Sequence, residues 1–259
     1  MRKVLFVLCL LSLIAIPALA VAIGIEVGVG VWSEEPSGTL SYKPVALTDN
    51  LDLERDLKYD TETRAFGRVK IDMPLVIPNI YIMATPMSFK GRGSKTANFS
   101  WGGKTYDFTQ PFDSELSMDH LDIAFFYGIP GLKKLTLEKL NLELGLNARL
   151  IDFYAEVSGT EDVTGNSIRE SKSLTIPIPM LYAGIQVMPI KKLSIEAEGR
   201  GIAYGGDHYY SLIGRLKVKT VGPLFIAGGY RYDDIKFEEK DINAEVKFQG
   251  PFAEVGLKF

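Results

Sequence analysis

Cysteine is almost missing from this chain: Cys9 is the only one. It lies in an N-terminal segment with the marks of a cleaved export signal. Arg2 and Lys3 form a positive n-region, Val4 to Ile16 an apolar stretch, and Ala18-Leu-Ala20 an A-x-A cleavage site. The expected boundaries are therefore a signal peptide over 1–20 and one domain over 21–259. A mature chain without thiols has no disulfide and no cysteine metal site. Histidine is nearly as scarce, with only His120 and His208. After the signal, no stretch approaches the roughly 20 apolar residues that a membrane helix needs. Excess positive charge is missing too. Removing Arg2 and Lys3 from the 29 basic residues leaves 27 against 32 acidic, a net −5. That balance argues against nucleic acid as a partner. There is no P-loop and no metal-ligand cluster, so no cofactor and no metal are expected.

What the chain does have is alternation. Hydrophobic residues are 46% of it and its mean hydropathy is +0.08. Those values suit a soluble core and equally a barrel of half-apolar strands. The pattern is more informative. Ile23, Ile25, Val27, Val29 and Val31 alternate with Gly24, Glu26, Gly28, Gly30 and Trp32. Period two puts the two sets on opposite faces of a strand. Similar runs recur over 65–73, 80–84, 120–127, 140–150, 181–187, 193–200, 211–219 and 224–233. The last run ends the chain, with Ala253, Val255, Leu257 and Phe259 opposing Glu254, Gly256 and Lys258. Ten strands are expected, an even number as single-chain bacterial barrels require. In the segment before the last strand, Ile242, Ala244, Val246 and Phe248 are apolar on even positions, whereas the terminal run is apolar on odd ones. A bulge near Gly250-Pro251 is expected to reconcile the phases.

The connectors differ in length by side. Turns on the side of the N-terminus are expected at 74–79, 129–139, 189–192 and 221–222. On the opposite side loops are expected at 33–63, 91–115, 153–177, 204–207 and 238–243, so most of the long connectors share one side. The 33–63 segment carries eight acidic and three basic residues. That composition leaves open divalent-cation binding or a simply solvated loop. Residues 97–108 read as a hairpin around Gly102-Gly103. Its aromatic residues Phe99, Trp101, Tyr106 and Phe108 suit either an extended outer hairpin or a contact surface. Tyr127, Tyr204, Tyr209, Tyr210, Tyr230 and Tyr232, with Trp32 and Phe259, are candidates for interfacial aromatic girdles.

An exported chain of such strands, closing on Phe259, resembles bacterial outer-membrane β-barrels. Within that class it is similar to an uncharacterised single-domain family of Gram-negative bacteria. The residues carrying that likeness are Pro179-Met-Leu-Tyr-Ala183, Ala197-Glu-Gly-Arg200 and Gly250-Pro-Phe252. The resemblance implies an all-β fold, an antiparallel up-and-down transmembrane barrel preceded by a signal peptide. It also implies an outer-membrane location, contact with membrane lipid and lipopolysaccharide, and delivery by the barrel-assembly machinery. Val255, Leu257 and Phe259 would then carry the terminal assembly signal. Charges on the polar faces would fill the lumen as an ion-pair network of Glu26, Arg68, Lys70, Asp72, Glu143, Arg149, Glu196, Glu198, Arg200, Arg215, Lys217 and Glu254. The family supplies no catalytic residues. Expected is a non-enzymatic protein, either structural or a narrow binding or transport barrel.

Two other readings remain. Asp119-His120 and Asp207-His208, with Asp233 and Asp234, place His beside carboxylates, as a water-activating base would require. Ten strands with such rim pairs resemble the omptin surface proteases, but the spacing of the omptin motifs is absent. A soluble periplasmic barrel that binds lipid inside is the third reading, and there the apolar faces would point inward.

Overall fold

The computed structural model describes residues 23–74, 76–137, 139–239 and 241–259. The expected signal segment, with Cys9, lies outside the described residues. In chain order the strands are β1 (Gly24–Tyr42), β2 (Leu51–Asp52), β3 (Glu62–Asp72), β4 (Asn79–Thr85), β5 (Ser88–Gly93), β6 (Phe99–Trp101), β7 (Lys104–Tyr106), β8 (Phe112–Gly128), β9 (Leu140–Thr160), β10 (Ser167–Ile190), β11 (Leu193–Tyr204), β12 (Asp207–Lys219), β13 (Leu224–Glu239) and β14 (Ile242–Lys258). β4 and β5 are two halves of one stave, interrupted at Pro86 and Met87. Proline has no N–H to give a ladder. The break is bridged locally: the Met87 N–H donates to the Asp119 carboxylate at 2.8 Å, and Ser117 Oγ donates to the Met87 carbonyl at 3.0 Å.

Ten staves pair antiparallel with their neighbours in sequence, and β14 pairs with β1. That seam runs from Glu26 opposite Lys258 to Tyr42 opposite Ile242. The sheet is thus a closed barrel, which removes the unpaired edges that an open sheet exposes. The two-residue loop Gly205-Gly206 joins β11 to β12, and both glycines have positive φ, +64° and +100°. A type I′ hairpin requires that backbone, which glycine adopts without steric cost.

The staves are longer than the sequence runs, because each crosses two environments. On β9, Leu142, Leu144, Leu146, Ala148 and Leu150 point outward. The same outward face continues as Asp152, Tyr154, Glu156 and Ser158. Inward, Asn141, Glu143, Asn147 and Arg149 give way to Ile151, Phe153, Ala155 and Val157, all buried. The strand phase is constant while its hydrophobic polarity inverts. In the lower storey the outside is apolar and the inside charged. In the upper storey the outside is polar and the inside apolar.

The same inversion removes the bulge expected near Gly250-Pro251. β13 and β14 stay in one register from Leu224 opposite Leu257 to Glu239 opposite Ile242. Even positions of β14 face inward throughout: Ile242, Ala244, Val246 and Phe248 above, Phe252 and Glu254 below. Much of 153–177, expected as a loop, is likewise strand.

The upper interior is filled from above. β2 pairs with β1, and the segment after it inserts Leu53, Leu57 and Tyr59. The hairpin β6–β7, turning at Gly102-Gly103, adds Phe99, Trp101 and Tyr106. Tyr59 stacks on Phe89 and Phe89 on Phe248, with centroids 6.0 and 5.4 Å apart. Phe99 packs on Tyr106 and Phe112 at 5.1 and 4.9 Å. Burying each such side chain stabilises the fold by about 1.5–3 kcal/mol. The aromatic hairpin is therefore a stopper in the mouth, with only Phe108 left 44% exposed.

Candidate functional site

Below the aromatic stopper the lumen is an ionic lattice. Each member is delivered by strand alternation, which turns every second side chain of a stave inward. Arg68 lies near its centre, on β3. Its Nε donates to Glu254 at 2.8 Å and its Nη2 to Glu26 at 2.6 Å. Its guanidinium lies 5.9 Å from the Tyr81 ring and 5.8 Å from that of Phe225. Lys217 donates to Glu26 at 2.9 Å and pairs with Glu196 at 2.5 Å. Arg215 pairs with Glu196, Glu198 and Glu254 at 3.2, 2.5 and 3.3 Å. Arg200 pairs with Glu198 at 3.2 Å and lies over Tyr81 and Tyr182. Lys70 donates to both oxygens of Glu143 at 2.8 Å.

Of the twelve lumen residues read from the sequence, Asp72 makes no ion pair among the described residues. It lines a cavity of about 30 Å³ near the lower mouth, together with Glu26, Lys70, Glu143, Glu196, Lys217 and Lys258. That is room for a water or two, not for a solute.

A second tier sits above this lattice, and of its charged residues only Arg149 was in the expected set. Arg149 grips Asp122 through Nε and Nη2, both at 2.8 Å, and Asn147 donates to the same carboxylate at 2.7 Å. Arg231 donates to Asp233 at 2.8 Å and to Thr85 at 3.0 Å, with Trp32 4.3 Å beneath its guanidinium. Alternation had already put Asp122, Arg231 and Asp233 on polar faces. The missing signal was which strands face each other across the lumen, as Arg231 and Thr85 do. Trp32 and Tyr209 belong to this tier, 1% and 2% exposed, and are not girdle residues. Tyr127, Tyr210 and Tyr230 do face outward, at 52%, 43% and 50% exposure.

The two histidine pairs come apart. Adjacent strand residues point to opposite faces, so Asp119 looks outward and His120 into the lumen. Arg231 Nη2 lies 2.9 Å from His120 Nε2, and His120 Nδ1 lies 3.0 Å from the Met118 carbonyl. An arginine can only donate, so Nε2 accepts and the proton sits on Nδ1. Both ring nitrogens are thereby engaged. His208 is on the outer wall, 3.4 Å from Asp234 and stacked on Tyr210 at 5.0 Å. Asp234 also accepts from the Tyr232 hydroxyl at 2.9 Å and faces Lys247 at 3.8 Å. Asp233 points the other way, into the barrel. Among the described residues no group of three or more His, Cys, Asp or Glu side chains could hold a metal ion. The acidic 33–63 segment instead uses its carboxylates as local caps. Asp49 accepts from the Val45, Ala46 and Ser100 N–H groups, and Asp52 from Glu54 and Arg55.

No protein-family model and no curated protein matches the chain. Solved outer-membrane barrels resemble it in shape. The outer membrane protease OmpT from Escherichia coli is 10% identical, with 93% of this chain and 99% of that one covered and a TM-score of 0.49. Ail, the attachment invasion locus protein of Yersinia pestis, was solved with the heparin analogue sucrose octasulfate. It is 10% identical over 92% of this chain and 100% of its own, at 0.35. The translocator domain of the autotransporter NalP from Neisseria meningitidis is 10% identical over 92% and 87%, at 0.36.

Proposed function

We propose that this chain is a non-enzymatic integral outer-membrane barrel whose lumen is closed, so that it acts as a structural or narrow binding element and not as an open pore. The observation that carries this reading is the double filling of the cross-section. Paired charges occupy the lower storey and an aromatic core the upper one. A sealed barrel with a wide apolar outer belt is suited to holding a surface in the membrane. The belt also bears on the lipid-carrier alternative, which needs apolar faces turned inward. Leu144, Ile195, Leu216, Ile226 and Val255 instead stand outward at 61%, 51%, 50%, 52% and 45% exposure. Against catalysis, His120 has no free nitrogen, and the Asp234 beside His208 is shared with Tyr232 and Lys247. Export by the 1–20 signal and assembly through Val255, Leu257 and Phe259 complete the reading. Phe259 is 70% exposed at the lower rim, where its N–H donates to the Ile25 carbonyl at 2.8 Å. Planar-bilayer recording of the purified protein tests the sealed lumen. The expected result is heat-modifiable migration on a gel with no steady conductance. A large, ion-selective conductance would overturn it.

A further inference from the structure

The lower rim, where β1 begins and β14 ends, has two unlike halves. On one half, Lys139, Lys191, Lys192 and Lys219 follow one another around the edge. Lys139, Lys191 and Lys192 come from the connections that join β8 to β9 and β10 to β11, and Lys219 is the last residue of β12, where it turns toward β13. Backbone bonds tie these connections to their neighbours: the Met188 N–H donates to the Lys139 carbonyl and the Lys219 N–H to the Lys192 carbonyl, each at 2.8 Å. All four lysines are exposed. Among the described residues none of them makes an ion pair. Adjacent strands lie ~4.8 Å apart, which sets Lys192 beside Lys219; Lys139, two staves from Lys192, extends the same basic edge past one Debye length of ~8 Å. The other half of the rim is different. The connection from β3 to β4 has no charged residue between Asp72 and Asn79, and Val76 is 84% exposed.

We propose that the lysine arc is a docking surface for the anionic phosphate headgroups of membrane phospholipid. This rests on the membrane reading above and adds a lipid preference to it. Two observations select lipid over a water-borne acidic partner. Each lysine lies within about two residues of an outward apolar side chain, Ile190, Val218 or Val221 among them. A lysine stem covers such a surface while its ammonium reaches the headgroup plane. Ile190 and Val221 are 63% and 83% exposed within the same arc, a mixture that suits an interface between hydrocarbon and phosphate.

The test uses the whole protein in phosphatidylcholine bilayers containing about one-fifth phosphatidylglycerol. Spin-labelled lipids report which species is held at the protein surface. The expected result is a preference for phosphatidylglycerol of about threefold over phosphatidylcholine. It should be lost in molar salt and in the variant K139Q/K191Q/K192Q/K219Q, and about halved in K191Q/K192Q. K236Q/K247Q, on the outer wall, should keep it. Heat-modifiable migration checks that each variant is folded. Equal retention of the two lipids by a properly inserted wild type overturns the inference and leaves the sealed barrel standing. Equal retention with sedimentation on purified murein, lost in the fourfold variant, overturns it in favour of a carboxylate partner. Absence of any protein-held lipid overturns both readings.

Discussion

An arginine walked along the outer face of β9 would locate the lipid belt. From Leu142 to Leu150 the outward run is apolar, and from Asp152 onward it is polar. At ~3.4 Å per residue that apolar run is roughly 27 Å long. With strands tilted about 40° it covers ~21 Å along the membrane normal, close to the ~25 Å belt of known barrels. Leu146, 65% exposed, falls at its middle. Each two-residue step moves the substitution by about 5 Å in depth. Leu146→Arg should therefore cost about 2–4 kcal/mol, and Asp152→Arg or Tyr154→Arg only about 0–1 kcal/mol. Leu144→Arg and Leu150→Arg should fall between them. The assay is reversible denaturant unfolding in lipid vesicles, followed by the fluorescence of Trp32 and Trp101. Both tryptophans are buried, so their signals report loss of the interior. A flat profile, or one that peaks at Tyr154, would refute the assignment of the lower storey to lipid.

Three further outcomes follow from the interior and the loops. Arg68→Met removes the cation shared by Glu26 and Glu254 and should cost about 3–5 kcal/mol, the usual penalty for stranding a buried charge. Adding Glu254→Gln should recover part of that loss, and in vesicle unfolding an additive double variant would argue against a coupled lattice. Glu198→Ala, which strips a partner from Arg215 and Arg200, should destabilise the barrel more than Asp52→Ala on the outer loop; equal midpoints would make the inner face merely wet. For Asp52, partial burial pushes its carboxyl up, but hydrogen bonds from Arg55 outweigh this and leave it below the usual value. A depressed carboxyl stabilises above the unfolded value near ~3.9 and loses that contribution as pH falls through the folded value. Amide exchange at Glu54 and Arg55 should therefore accelerate only in acid, and an unchanged rate there would exclude the cap.

The chain's own pattern determined the staves and the two faces of each. Alternation needs no partner strand to be legible, so period two alone put Leu144, Ile195, Leu216 and Val255 on one face and Glu26, Arg68, Glu198 and Lys217 on the other, and the likeness to outer-membrane barrels turned the first face outward. What the pattern could not reveal was how far each strand runs. Past Leu150 or before Gly250 the hydrophobic residues move to the opposite face, which in one dimension looks like a bulge or a loop. Only a barrel that stands above its lipid belt, with a greasy stopper inside and water outside, makes that inversion one continuous strand. The same holds for chemistry. Asp119-His120 is a pair in sequence but not in space, because neighbours on a strand face opposite ways. Arg231 meets His120, and Arg149 meets Asp122, through pairing and closure that bring residues over a hundred positions apart, or from adjoining staves, into one lumen. The Arg149–Asp122 pair is set by the register of β8 with β9, whereas the Arg231–His120 contact exists only because the closed barrel brings β13 opposite β8 across the lumen.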